Sequence, residues 1–215
     1  MDAIAELVRD HKEVRKYFAR LEKLKSAQAK QNAAGQLIRL LSIHSSVEEQ
    51  LVYPLLRARG DGLEHLAFEA LEQHHVVKIV AKEIERISPD NERFDGKLRV
   101  LSANVLEHMK EEEQVMFPAL RKLLEPEELS ALADLIRSAR RVVPTHPHPL
   151  APDTPPGNVI AGTISRVLDQ GRDLWAAARA RAAKRLMERR EQVVQGVRRV
   201  PQQLAARRGR VRRRR

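Results

Sequence analysis

Residues 44–57 read HSSVEEQLVYPLLR and residues 108–121 read HMKEEEQVMFPALR, with seven of fourteen positions identical at an offset of 64. A second pair aligns at an offset of 63: Asp10-His11-Lys12-Glu13-Val14-Arg15 with Gln73-His74-His75-Val76-Val77-Lys78. Together they describe two duplicated helical hairpins, each opening on a histidine and continuing to a helix that carries His-x-x-x-Glu. Positions i and i+4 share one helix face, about 6 Å apart along the axis, so the imidazole and carboxylate of each pair converge on one point. His44 and Glu48 lie on the stripe Leu37, Leu41, Leu51, Leu55, and His108 and Glu112 lie on Leu101, Val105, Val115, Ala119. His11 is in register with Leu7, Val14, Phe18 and Leu21, and His74 with Leu71, Val77, Ala81 and Ile84. Four imidazoles and two carboxylates are therefore expected to face a helical interior. Glu49 and Glu113 turn about 100° away from the pairs, toward the surface or a supporting role.

Working outward, residues 1–140 show apolar positions at helical spacing, with breaks only where turn chemistry occurs, which predicts an all-helical domain. Helices are expected over about 4–25, 35–57, 64–87 and 94–124. The third stops at Ser88-Pro89, and Pro126-Glu127-Glu128 starts a short fifth helix that ends near 140. Rods of this length joined by short loops pack most readily as antiparallel neighbours, so the expectation is an up-down-up-down four-helix bundle with a short fifth helix. Over 141–158 the chain is rich in proline and reads as an extended linker. His146 and His148 sit there in Pro-Thr-His-Pro-His-Pro, where incidental metal binding is the most they offer.

The charge is divided unevenly. Residues 159–215 hold 17 Lys and Arg against 4 Asp and Glu, a net of +13, whereas the preceding residues net −2. This basic tail is expected to be an amphipathic helix or a disordered extension, with a non-specific nucleic acid or an anionic membrane surface as its candidate partner. Trp175 is its one aromatic residue, which argues against recognition by base stacking. Cysteine is absent, excluding disulfides, thiolate zinc sites and cysteine nucleophiles, so a bound metal has to use nitrogen and oxygen. The first residues are acidic where a secretory leader is basic, and no apolar run approaches the roughly 20 residues of a membrane span, so a soluble cytoplasmic protein is expected.

Burying two carboxylates and four imidazoles without compensation costs several kcal/mol per charge, and cations are the simplest compensation. At this point the sequence resembles the hemerythrin-like family, the HHE cation-binding domain, over about residues 4–123. The family's order of a helix-one histidine, an HxxxE helix, a helix-three histidine and a second HxxxE helix is present as His11, His44 with Glu48, His74, and His108 with Glu112. The resemblance implies a non-haem di-iron centre in a four-helix bundle, with Glu48 and Glu112 bridging two iron ions; nitrogen and oxygen ligands alone do not exclude zinc or manganese. It further implies binding of dioxygen, peroxide or nitric oxide at an open iron position, with redox turnover of peroxide or nitric oxide as a candidate activity. The alternative is an oxygen- or iron-sensing module whose tail binds a membrane or nucleic acid. Oxygen carriers of the family have a fifth histidine one turn from the helix-three ligand, but the corresponding positions here are Ala70 and Lys78. Tyr53, nine residues after His44, is a candidate ligand in its place, and its repeat partner is Phe117.

Overall fold

The computed structural model describes residues 2–57 and 63–151, with scattered positions between 173 and 191. The chain divides into two compact units, Met1–Ala178 and Arg179–Arg215. Most of the basic tail expected over 159–215, and the end of the linker, lie outside the described residues. Among the described residues there is no strand, and no helix is long and apolar enough to cross a membrane.

Helix α1 spans Ala3–Lys23 and starts where Asp2 Oδ1 accepts from the Ala5 amide at 2.9 Å, a side-chain cap for an otherwise unpaired donor. Helix α2 spans Ala27–Val47 and is capped by Ser26. It thus begins eight residues before the expected start at Gly35. Ser26 followed by Ala27-Gln28-Ala29-Lys30-Gln31 is a capping residue leading a run of strong helix formers, and Gly35 lies inside the helix rather than at its boundary. A Cβ added at Gly35 would meet nothing within 4 Å. Gly35→Ala is therefore expected to stabilise the fold by about 0.5–1 kcal/mol, read as a rise in thermal midpoint.

The second rod then changes pitch. Glu48–Val52 is a π-helical stretch that leads directly into α3, Tyr53–Arg57. The same happens in the duplicate, where α5 (Phe94–Glu111) passes through the π-helical stretch Glu112–Met116 into α6 (Phe117–Leu123). Each π stretch precedes an aromatic-proline pair, Tyr53-Pro54 or Phe117-Pro118. A proline within a helix has no N–H for its i−4 carbonyl and its ring collides with that carbonyl. Widening the preceding turn by one residue accommodates the ring, and the Tyr53 and Phe117 amides bond back five residues to the Glu48 and Glu112 carbonyls.

Between the two rods lies α4, Glu64–Glu85. The last helix, α7, spans Pro126–Ala139, with Pro126 in its first turn and Glu128 Oε2 accepting from the Glu125 amide at 2.9 Å. Contacts join α1 to α2, α4 to α5, α2 to α4, and α7 to α1.

The buried apolar residues fall into two clusters. One gathers Leu7, Leu51, Leu55, Ala67 and Phe117 with Leu132 and Ile136 of α7. The other gathers Val14, Phe18, Leu37, Ile84 and Leu101. Each large aliphatic side chain buried this way contributes about 1.5–3 kcal/mol, and the clusters clamp the helices above and below a layer of buried polar residues. The expected stripes hold for α1, α2 and α4 but fail beyond Glu112. Val115 is 43% exposed, while Met116, Phe117 and Leu120 are buried; its repeat mate Leu51 passes through the same π turn yet stays buried, in the cluster that α7 joins.

Candidate metal centre

Between the two clusters, His11, His44, Glu48, His74, His108 and Glu112 are all buried, and both carboxylates are fully so. The imidazoles meet in pairs. His11 Nε2 lies 3.1 Å from His44 Nε2, and His74 Nε2 lies 3.0 Å from His108 Nε2. Two imidazole nitrogens each about 2.1 Å from one metal ion and at right angles around it stand about 3.0 Å apart, so each pair has the spacing of neighbouring ligands on one cation.

The carboxylates connect the pairs. Glu48 Oε2 is 3.1 Å from His44 Nε2 and 3.6 Å from His74 Nε2. Glu112 Oε2 is 3.3 Å from His11 Nε2 and 3.4 Å from His108 Nε2. Among the described residues, two groups have donor atoms within 4.8 Å of one another: His11, His44, Glu48 and Glu112, and Glu48, His74 and His108.

Three of the four imidazoles turn the other nitrogen outward to a hydrogen-bond partner that fixes the ring. His11 Nδ1 donates to Glu113 Oε1 at 2.8 Å, and that oxygen also accepts from Arg15 at 3.0 Å. His74 Nδ1 donates to Glu49 Oε1 at 3.0 Å, and Lys78 Nζ reaches the same oxygen at 2.7 Å. These two arrangements are related by the sequence duplication: Arg15 and Lys78 lie one turn beyond His11 and His74. Glu49 and Glu113 thus orient the inward histidines, and Glu49, only 4% exposed, is not a surface residue. His108 Nδ1 donates to Gln73 Oε1 at 2.5 Å, whereas His44 Nδ1 has no hydrogen-bond partner and only faces Asp10 Oδ2 at 3.5 Å. Sequence reasoning passed over Asp10 and Gln73, although both directly precede an inward histidine in the aligned pair. His75, next to His74, is only partly buried, and His65 is exposed. His146 Nδ1 meets Glu85 Oε1 at 2.8 Å, away from these groups.

Tyr53 reaches the same layer. Its phenol donates to Glu112 Oε1 at 3.0 Å and stands 3.1 Å from His74 Nε2 and 3.4 Å from His108 Nε2. The repeat partner Phe117 stacks on His11 with ring centroids 5.5 Å apart. At this pair of positions the two halves of the layer differ by one hydroxyl group.

Burial sets the electrostatics. Burial and the adjacent Glu112 push the Glu48 carboxyl well above the usual carboxylate range. Burial alone would raise Glu112 too, but the imidazoles of His108, His11 and His44 hold it far below that range. His108 is pushed down to about 3 by burial, with His74, His44 and His11 adding to the shift against the pull of Glu112. His44 is likewise lowered by burial, which Asp10 partly offsets. The Tyr53 phenol is raised well above its usual range by burial and by Glu112 and Glu48. Both Glu48 oxygens and Glu112 Oε2 lack a hydrogen-bond partner. An unpartnered buried polar atom costs about 1–3 kcal/mol, and cations between the carboxylates and the Nε2 pairs would supply the missing partners.

The Hemerythrin HHE cation binding domain profile matches residues 2–120. An uncharacterized hemerythrin-like protein of Schizosaccharomyces pombe is 27% identical over 169 residues, which cover 78% of this chain and 83% of that protein. A DNA nickase of Nostoc sp. is 29% identical over 132 residues, 61% of this chain but only 37% of the nickase, so the chain spans little more than a third of that relative. Among solved structures, a Hemerythrin HHE cation binding domain-containing protein from Mycobacterium kansasii matches with a TM-score of 0.58 at 20% identity, covering 66% of this chain and 86% of that one. At that identity the likeness bears on the fold alone.

Proposed function

Since the chain belongs to the hemerythrin HHE cation-binding domain family, whose profile spans residues 2–120, we propose that it is a non-haem di-iron protein that binds dioxygen, peroxide or nitric oxide. The observation that carries this reading is the pair of Nε2 couples joined by two buried carboxylates with unpartnered oxygens. His11 and His44 would hold one cation, His74 and His108 the other, and Glu48 and Glu112 would bridge them. The four long rods would stand as an up-down-up-down bundle around this layer, with residues 1–140 as the metal-binding domain, 141–158 as linker and 159–215 as a separate basic tail. The donor set contains nitrogen and oxygen only, which suits iron but also manganese and zinc.

Iron held there would supply one-electron chemistry and an open coordination position for a small oxidant or gas. The chain's own residues do the rest. Glu113, Glu49 and Gln73 donate no charge to the centre directly; they hold three imidazoles so that each Nε2 lone pair points inward. The two apolar clusters keep bulk water from the layer. Tyr53, 3.1 Å from His74 Nε2 and 3.4 Å from His108 Nε2, would serve in place of the carriers' fifth histidine, as a ligand or as a hydrogen-bond donor to whatever binds there.

Anaerobic purification from iron-supplied cells, followed by metal quantification, is expected to give close to two iron ions per chain. Optical spectra should then change on addition of dioxygen, peroxide or nitric oxide. Protein that folds but takes up no metal from an iron-replete medium removes this reading.

A second reading has its own support. One relative is named a DNA nickase, and the net charge of +13 over residues 159–215 suits attraction to a polyanion. In this reading the metal domain reports iron or oxygen status and the tail engages nucleic acid without reading sequence. Salt-sensitive binding of the full chain to duplex DNA, lost on truncation at residue 158, supports it; equal binding by both lengths removes it.

A further inference from the structure

The duplication provides an internal comparison, and the two halves diverge at the outer partner of the HxxxE histidine. In one half, His108 Nδ1 meets the neutral amide of Gln73, whose Nε2 donates to the partly exposed Glu111 at 3.2 Å. In the other, the residue at the position of Gln73 is Asp10, a carboxylate 8% exposed that faces His44 Nδ1. Behind Asp10 stands Arg140, at the C-terminal end of α7. Its Nη2 donates to Asp10 Oδ2 at 2.6 Å, and its Nη1 donates to Glu6 Oε2 at 2.7 Å. Nη2 also reaches the Glu6 carbonyl at 3.3 Å. Arg140 lies twenty residues beyond the end of the family match at residue 120. A single guanidinium thus ties the added helix to the wall of the metal layer.

This arrangement does more than dock a helix. A buried carboxylate beside His44 is costly unless a positive group answers it, and Arg140 is the group within hydrogen-bond reach that does so. Without it, nothing would hold Asp10 turned toward His44, and the carboxylate would swing toward solvent and leave His44 Nδ1 with no facing group; outer partners of this kind commonly govern metal affinity. The opposite half needs no such helix because an amide carries no charge to neutralise.

We propose that Arg140 is a positioning residue for the cation site built by His11 and His44, acting through Asp10, so that docking of α7 and occupancy of that site are coupled. The proposal rests on the cation-binding reading above. Coupling between two sites is reciprocal, so a cation beside His44 stabilises the docked C-terminal end of α7 as much as the docked helix strengthens cation binding.

Glu6 makes the separating control, because it shares Arg140 and also holds Arg137 at 3.0 Å, yet does not face an imidazole. Anaerobic equilibrium dialysis of the full chain against Fe(II), with metal quantification, compares wild type, Arg140→Ala, Arg140→Lys and Glu6→Gln. Arg140→Ala is expected to weaken one of two sites by roughly 10–100-fold and leave the other unchanged. Arg140→Lys should recover part of the loss, since an ammonium can answer Asp10 without forking to Glu6. Glu6→Gln should lower the thermal midpoint while weakening iron binding far less than Arg140→Ala does, since Arg140 keeps its bond to Asp10. Fe(II) should also slow amide exchange in residues 126–139 of wild type and not of Arg140→Ala.

The proposal is overturned if Arg140→Ala keeps both affinities, if it weakens both sites equally, or if Glu6→Gln weakens iron binding as much. Should Arg140→Ala not fold, Asp10→Asn carries the same expectation of one weakened site, and unaltered binding there overturns it equally. If wild type itself takes up no Fe(II), the cation-binding reading fails first, which that control shows independently of any variant.

Discussion

Glu48→Gln is expected to lower iron content from near two to one or fewer per chain while making the iron-free protein at least as stable as wild type. The first half follows from geometry. Glu48 Oε2 is within 3.6 Å of an imidazole of each pair, and Glu48 is the one residue common to both candidate donor groups. An amide of the same shape keeps an oxygen there but no charge, and so binds a divalent cation far more weakly. The second half follows from the cost of burial. Glu48 is fully buried, with neither oxygen hydrogen-bonded. Replacing a poorly satisfied buried ionisable group by a neutral one of similar volume is commonly neutral or stabilising. Metal quantification gives the first readout, and thermal unfolding in the presence of a chelator gives the second. Full retention of two iron ions would mean that Glu48 is a structural carboxyl; a large loss of iron-free stability would mean that its proton or its hydrogen bonding holds the bundle together.

That opposition between binding and stability also explains what the sequence made readable. The six inward residues were visible because a histidine or glutamate on an apolar helical stripe contradicts the stripe, and two such contradictions at matching offsets do not arise from packing needs. The π turns were not visible by periodicity, since a 3.6-residue pattern has no slot for one extra residue. The stripe was also misplaced beyond Glu112, where Val115 is exposed and Met116 buried, whereas Leu51 and Leu55 kept it in the first half. The repeated aromatic-proline pairs, Tyr53-Pro54 and Phe117-Pro118, are the signal from which the change of pitch could have been read. Asp10 and Gln73 were legible in principle, being aligned neighbours of His11 and His74. Arg140 was not, because its contact with Asp10 spans 130 residues and lies on a helix outside the duplication. Local pattern reports which face a residue occupies; it does not report which distant charge answers it.

Iron uptake is expected to tighten as pH rises through the acid and neutral range, with a proton released from Glu48 and none from His44 or His108. The signs are set by the iron-free layer. Burial and Glu112 raise the Glu48 carboxyl, so it carries a proton above the pH where an exposed glutamate has lost its own. A bridging carboxylate has to be deprotonated, so binding expels that proton and the apparent affinity climbs with pH until Glu48 ionises in the iron-free protein as well. His44 and His108 contribute little to this slope. His108 is pushed down to about 3 and His44 is lowered too, so both are already neutral at pH 6 and have no proton to lose. Glu112 is held low and adds none. Calorimetry of anaerobic Fe(II) binding in two buffers of different ionisation enthalpy measures the released proton directly. Glu48→Gln should abolish that release along with the tight site. If Glu48→Gln released as many protons on binding as wild type, the proton would not come from Glu48, and that carboxyl would already be ionised in the iron-free layer despite its burial beside Glu112.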